Sequence, residues 1–146
     1  MREAEPGDLS AILRLLLEDR TTPSDESSPD AACYADALRE MQASSVSRTY
    51  VAEVDGRIVG TFMLSFLRHL MRRGTLVGQI EAVRVDAPVR GHGIGAAMMS
   101  WAIQEARRRG CSVVQLTSNK KRKDAHRFYE RLGFRASHEG MKLPLR

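Results

Sequence analysis

Between Val85 and Gly95 the chain leaves a β-branched run, crosses Arg90-Gly91-His92-Gly93-Ile94-Gly95 and passes directly into a long helical pattern. Few local structures satisfy that order. Glycines permit positive φ and close backbone approach, and the first turn of a helix offers unpaired N–H groups and the positive end of its dipole. Strand, glycines and helix together make an anion site, and a pyrophosphate fits it. Gly91, Gly93 and Ala96 also match the G-x-G-x-x-A spacing of dinucleotide-binding turns. That reading needs an acid at the end of the next strand, and Val113 to Asn119 contains none. A Walker-type phosphate loop needs a lysine after the last glycine, where Ala96 and Ala97 stand.

The flanking pattern predicts the surroundings of this loop. Met1 to Ala4 reads as a short first strand, and Pro6, Gly7 and Asp8 open a helix with an apolar stripe of Leu9, Ile12, Leu13, Leu16 and Leu17. Thr21 to Pro29 reads as a loop, with a second helix from Pro29 or Asp30 to about Ala43. Thr49 to Val54 and Ile58 to Leu67 flank Asp55-Gly56, a two-residue hairpin turn. After the basic connector Arg68 to Gly74 come a strand from Thr75 to Val85 and a helix from Gly93 to Arg109 stopped by Gly110. A buried strand from Ser112 to Thr117, a helix from Asp124 to Leu132 and extended segments from Phe134 to Leu143 complete the order. This is an α/β layout with a mixed sheet.

Composition limits the partners. At 146 residues the chain holds one domain, spanning 1–146. The net charge of +5 favours anionic partners, but aromatics are only 5%, too few for the stacking platforms of a single-strand nucleic-acid binder. The expectation is therefore no nucleic-acid partner. No long apolar run and no leader-like N-terminus are present, so neither a membrane partner nor export is expected, and a cytoplasmic location is inferred. Cys33 and Cys111 stand far apart with no CxxC and no neighbouring His/Cys group, which predicts free thiols and no metal site.

Arg90-Gly91-His92-Gly93-Ile94-Gly95 resembles the R/Q-x-x-G-x-G/A acyl-CoA loop of the GNAT superfamily of N-acetyltransferases. Ile80-Glu81-Ala82-Val83-Arg84-Val85 resembles the strand before that loop. Asn119, Ala125, Phe128, Tyr129, Leu132, Gly133 and Phe134 resemble the family's N-x-x-A-x-x-F-Y-x-x-x-G-F segment. The three matches stand in the family's order. They imply a central mixed, mostly antiparallel sheet in which two parallel strands splay apart, flanked by about four helices. They also imply an acetyl-CoA-dependent N-acetyltransferase acting on a primary amine. Acetyl-CoA would enter between Thr75–Val85 and Ser112–Thr117, its pantetheine on the backbone of Val83 and Val85 and its pyrophosphate on the N–H groups from Arg90 through Gly95. His92 would act through its backbone, and Asn119, Ala125, Phe128 and one or two of Lys120 to Lys123, Arg122 first, would complete the cosubstrate site.

An alkylammonium must lose a proton before it attacks a thioester, and the departing thiolate gains from receiving one. The resemblance assigns these tasks to Glu81 as base, usually through water, and to Tyr129 as acid. A second role is open for Glu81, which could instead bind the substrate ammonium or support the fold. Phe128 reads first as packing, and His126 as a helix-surface residue. Leu67 to Arg73 is basic, which suits an amine that also carries a carboxylate, phosphate or phosphonate. The stretch Leu116 to Tyr129 is similar to that of aminoalkylphosphonate N-acetyltransferases, with Ala82 where that subfamily carries its glutamate. Homodimers are common in the superfamily, and no interface is legible here. A non-catalytic acyl-CoA-binding module and an enzyme acting on protein or peptide amines are the competing readings.

Overall fold

The computed structural model describes residues 1–18 and 31–145. The element order is β1 (Arg2–Glu3), α1 (Leu9–Leu17), α2 (Ala31–Ala43), β2 (Ser47–Val54), β3 (Arg57–Arg68), α3 (Met71–Gly74), β4 (Leu76–Val85), α4 (Ile94–Arg108), β5 (Cys111–Leu116) and α5 (Lys123–Arg131), with 3-10 turns at Pro6–Asp8 and Ala87–Val89. The sheet runs β1-β2-β3-β4-β5, antiparallel except for the parallel pair β4–β5. This is the expected mixed sheet, with four substantial helices among the described residues, because α3 is a single turn whose Arg72 and Arg73 take left-handed φ. The expected loop from Thr21 to Pro29 and the first residues of the second helix lie outside the described residues.

Each element forms where its local chemistry allows. In the β2–β3 hairpin Val54 pairs with Arg57, and Asp55 (φ 49°) and Gly56 (φ 73°) both take the positive φ that matches the twist of the strands. Alternation along β2 then divides the core between two faces. Val51 joins Ala4, Ile12 and Leu38 under α1 and α2. Tyr50 and Ala52 join Phe62, Leu64, Ile80, Met98 and Ala102 under α4. Phe62 is 1% exposed and stacks on Tyr50 at 5.3 Å; burying a ring of this size contributes roughly 2–3 kcal/mol. Helix α4 seats closely because β3 carries Gly60, where a Cβ would lie 2.6 Å from Met98 Sδ.

The first turn is fixed electrostatically. Asp8 accepts from the two terminal guanidinium nitrogens of Arg2, at 2.7 and 2.9 Å, and from the Glu5 N–H at 2.8 Å. Arg2 and this N–H hold the buried Asp8 carboxyl below the usual carboxylate range, against the opposing effect of burial.

The C-terminal segment departs from expectation. Residues 134–145 form no strand; after Phe134, which packs on the core cluster, the backbone makes only a local turn at Arg135–Ser137. The alternation of Met141, Leu143 and Leu145 suits a strand, but Gly140 and Pro144 interrupt it and the segment pairs with no strand among the described residues. Those three side chains are 92%, 83% and 90% exposed. Strand β5 is consequently the last in the sheet.

Candidate active site

The parallel strands part at a defined point. Strands β4 and β5 pair from Leu76/Cys111 to Ile80/Leu116 and no further, so Glu81 to Val85 has only β3 beside it. On that side Met63 pairs with Glu81 and Thr61 with Arg84, leaving Phe62 to span both Ala82 and Val83. Ala82 takes φ 51°, a left-handed conformation that costs an L-residue about 1–2 kcal/mol. This bulge ends the inward–outward alternation of β4: Ile80 is buried, Glu81 is exposed, and Ala82, Val83, Arg84 and Val85 are all half-buried. The gap expected between the two strands is thus a consequence of the bulge and the end of the ladder.

The glycine loop closes one end of the gap. Gly91 and Gly93 both have φ 83°, and Gly93 caps α4. The first helical bond runs from the Ala97 N–H to the Gly93 carbonyl, so Ile94, Gly95 and Ala96 have N–H groups with no helical acceptor. Gly95 lies against the gap, where a Cβ would sit 3.5 Å from Phe128 Cζ and 3.6 Å from Val85 Cγ2. Arg90 Nε donates to the Val85 carbonyl at 2.8 Å, and His92 Nδ1 is 3.0 Å from the Arg90 carbonyl. Both side chains therefore shape the loop, and the loop fits an acyl-CoA pyrophosphate through its backbone donors.

Asp86, buried at the exit of β4, anchors this loop to the rest of the fold. Its N–H donates to the Val59 carbonyl, and its carboxylate faces Arg14 of α1 at 3.2 Å and Arg57 at 3.8 Å. Arg14 also pairs with Glu18 at 2.9 Å, and Glu18 lies 3.9 Å from Arg90. Nothing in the sequence singled out these partners, which are 72 residues apart for Arg14 and Asp86.

The other wall comes from the β5–α5 connection. Asn119 accepts the Lys121 N–H on its side-chain oxygen at 2.9 Å, while its carbonyl receives the Arg122 N–H at 2.9 Å and lies 2.9 Å from His126 Nε2. Asn119 thus builds the turn into α5. His126, expected on the helix surface, is half-buried and ties that turn to the helix. The Ser118 hydroxyl is buried with no hydrogen-bond partner among the described residues. Ala125, Phe128 and Tyr129 are half-buried on α5, with the Tyr129 ring 5.2 Å from Phe128 and 5.9 Å from Phe134.

The candidate acid and base differ in setting. Burial pushes the Tyr129 phenol above its ordinary pKa, while the positive charges of Arg122 and Arg84 oppose the rise. Arg84, which sequence reasoning passed over, also donates to the Val83 carbonyl at 3.0 Å. On the backbone of Val83 and Val85, expected to meet pantetheine, each carbonyl accepts one hydrogen bond from an arginine side chain. Glu81 is exposed on the stretch of β4 that β5 no longer flanks, and its carboxylate makes no hydrogen bond or ion pair among the described residues. Among the described residues no group of three or more His, Cys, Asp or Glu side chains could hold a metal, and both cysteines are free thiols.

A family model for the acetyltransferase (GNAT) family matches residues 9–134. The chain belongs to that family. Its relatives include the glucosamine 6-phosphate N-acetyltransferase of Trypanosoma brucei brucei, 37% identical over 99% of this chain and 95% of that protein. The aminoalkylphosphonate N-acetyltransferase of Salmonella typhimurium is 40% identical over 58% of this chain, which spans 54% of that protein. Among solved structures, one described as a transcriptional regulator from Bacillus halodurans C-125 is 38% identical, with a TM-score of 0.90 over 99% of this chain and 97% of that one. A Trypanosoma brucei acetyltransferase superposes with a TM-score of 0.81 at 35% identity, covering 99% of this chain and 97% of its own. This GNAT protein is an acetyl-CoA-dependent N-acetyltransferase.

Proposed function

We propose that this acetyltransferase moves the acetyl group onto the primary amine of a small molecule carrying a phosphate or phosphonate, by direct attack in a ternary complex. The observation that carries the acceptor class is the match along 99% of the chain to an enzyme named for glucosamine 6-phosphate. The name of the aminoalkylphosphonate relative describes the same pairing of amine and phosphorus oxyanion. The exposed arginines Arg72 and Arg73 on the turn into β4 are suited to such an anion.

In this reading Glu81, directly or through a water, takes the proton of the substrate ammonium. The amine nitrogen attacks the thioester carbonyl, and the N–H of Val83 beside the bulge stabilises the oxyanion. The nitrogen releases its second proton to solvent and the C–S bond breaks as the amide forms, while Tyr129 gives its proton to the departing thiolate and is reprotonated from solvent afterwards. Burial keeps the phenol protonated until then, and Arg84 and Arg122 stabilise the phenolate left behind.

The test is thiol release with glucosamine 6-phosphate, glucosamine, aminoalkylphosphonates and a short peptide, beside a direct measurement of acetyl-CoA affinity. Turnover should require the phosphorus oxyanion. Glu81→Gln and Tyr129→Phe should each lower kcat/KM by about 10²–10⁴-fold with acetyl-CoA affinity unchanged. Equal turnover of glucosamine or the peptide would remove the anion from the assignment, and unaltered variants would remove the two residue roles. Tight acetyl-CoA binding without turnover of any amine would favour a binding module.

A further inference from the structure

The two faces of the sheet differ in chemistry beside the gap. On the face under α4, Phe66 of β3, Ile80 of β4 and the half-buried Val114 and Leu116 of β5 belong to one apolar cluster. Strand alternation sends the residues between them to the opposite face. There the register sets Ser47 against Ser65, Ser65 against Gln79 and Gln79 against Gln115, a single polar rung across four strands. Its members bond in two pairs. Ser47 Oγ lies 2.8 Å from Ser65 Oγ, and Gln115 Nε2 donates to Gln79 Oε1 at 2.8 Å.

The rung opens toward β5. Helix α2 packs on β2 and α1 on β3 and β4, and exposure rises from buried Ser65 through half-buried Gln79 to exposed Gln115. Two residues beyond Gln79, on the same face of β4, stands the exposed Glu81. That step along a strand is about 7 Å. A molecule whose amine meets Glu81 therefore has the glutamine pair within reach of its neighbouring atoms. We propose that Gln79 and Gln115 form an acceptor subsite for hydroxyl groups, which selects a polyhydroxylated amine, such as an amino sugar, over an amine on a plain alkyl chain. The assignment rests on the reading that Glu81 faces the acceptor amine.

The donor inventory of the pair defines its ligand. Their mutual bond uses one N–H of Gln115 and the Gln79 carbonyl, and neither amide makes another hydrogen bond among the described residues. The Gln79 NH2 and the Gln115 carbonyl are left side by side, and exchanging the roles of the two amides leaves the same set. A hydroxyl both donates and accepts, so it satisfies either group, and two adjacent hydroxyls satisfy both. An oxyanion only accepts and an ammonium only donates, so each matches half of the pair. An alkyl chain matches neither and would cover the amides without replacing their bonds to water. The rung also carries no formal charge, which separates its task from that of a phosphate-binding group.

The test measures kcat/KM by thiol release with glucosamine 6-phosphate, its 3-deoxy and 4-deoxy analogues, 2-aminoethyl phosphate and glucosamine. In the wild type, at least one deoxygenation should cost about 3–10-fold, the worth of one hydrogen bond. Gln79→Leu should reduce the preference for glucosamine 6-phosphate over 2-aminoethyl phosphate by a similar factor and abolish the discrimination against that deoxy analogue. Damage to the fold would lower all acceptors alike and leave these ratios in place. Gln115→Met, at an exposed position, gives the same readout if Gln79→Leu misfolds. Wild-type indifference to both deoxygenations, or ratios unaltered in the variants, would overturn the subsite. Turnover of 2-aminoethyl phosphate without glucosamine 6-phosphate would overturn it and spare the anion. Equal turnover of glucosamine and its 6-phosphate would remove the anion while the deoxygenation ratios still decide the subsite, and silence with all five amines would overturn both.

Discussion

The two left-handed glycines of the loop give the sharpest test of the site. Gly91 and Gly93 each hold φ 83° with no atom within 4 Å of where a Cβ would be, so alanine there meets no clash. Its only penalty is conformational, about 1–2 kcal/mol. If Gly91→Ala or Gly93→Ala retains the loop, that strain lowers Tm by about 3–8 °C. If the loop instead relaxes to negative φ, stability is spared and the N–H groups turn away from the ligand, weakening acetyl-CoA by about 5–30-fold. Gly95→Ala is the contrasting substitution. Its Cβ would make ordinary contacts at 3.5 Å with Phe128 and 3.6 Å with Val85, and alanine in a helix gains up to about 1 kcal/mol over glycine. Its Tm should hold or rise while affinity falls, because the methyl group occupies the ligand's approach. Thermal denaturation and isothermal calorimetry with acetyl-CoA read both arms. Gly91→Ala and Gly93→Ala variants matching the wild type in Tm and affinity together would refute the loop as the pyrophosphate cradle.

Two further expectations concern the scaffold. Gly60→Ala places a Cβ 2.6 Å from the buried Met98 Sδ and 3.1 Å from the Arg84 carbonyl, and overpacking of this kind should cost about 1–3 kcal/mol in urea denaturation. Glu105 is held at a pKa of about 2, below the ordinary 4.5, by Arg108 and then Arg109. A depressed carboxylate stabilises above its unfolded pKa and loses that contribution on acidification, so the loss falls between pH 4.5 and about 2. With Arg108 69% exposed, screening reduces the contribution to about 1 kcal/mol. Glu105→Gln should lower the urea midpoint at neutral pH, and the difference from wild type should shrink as the pH falls through that window.

Much of the site was legible because its determinants are local. Asp55-Gly56 encodes its hairpin through φ preference alone, and Gly91 and Gly93 encode the loop in the same way. The bulge at Ala82 was not legible, since alanine signals neither bulge nor turn; the sheet on both sides imposes that conformation. The Arg14–Asp86 pair was hidden for a related reason, because only the folded topology brings α1 to the end of β4. Phe134 to Leu143, expected to supply extended segments, forms no strand. A strand also needs an edge to pair with, and the sequence of one chain does not say whether that edge is reached.

The joint at Asp86 has a consequence for how faults in this enzyme would present themselves. Three segments distant along the chain converge on one carboxylate, so the glycine loop is correctly posed only after α1 has docked and the hairpin has closed. Competence to hold the cosubstrate should therefore be among the last properties acquired during folding and among the first lost on loosening. An injury confined to α1, remote from any ligand atom, would be recorded by an assay as poor affinity for acetyl-CoA.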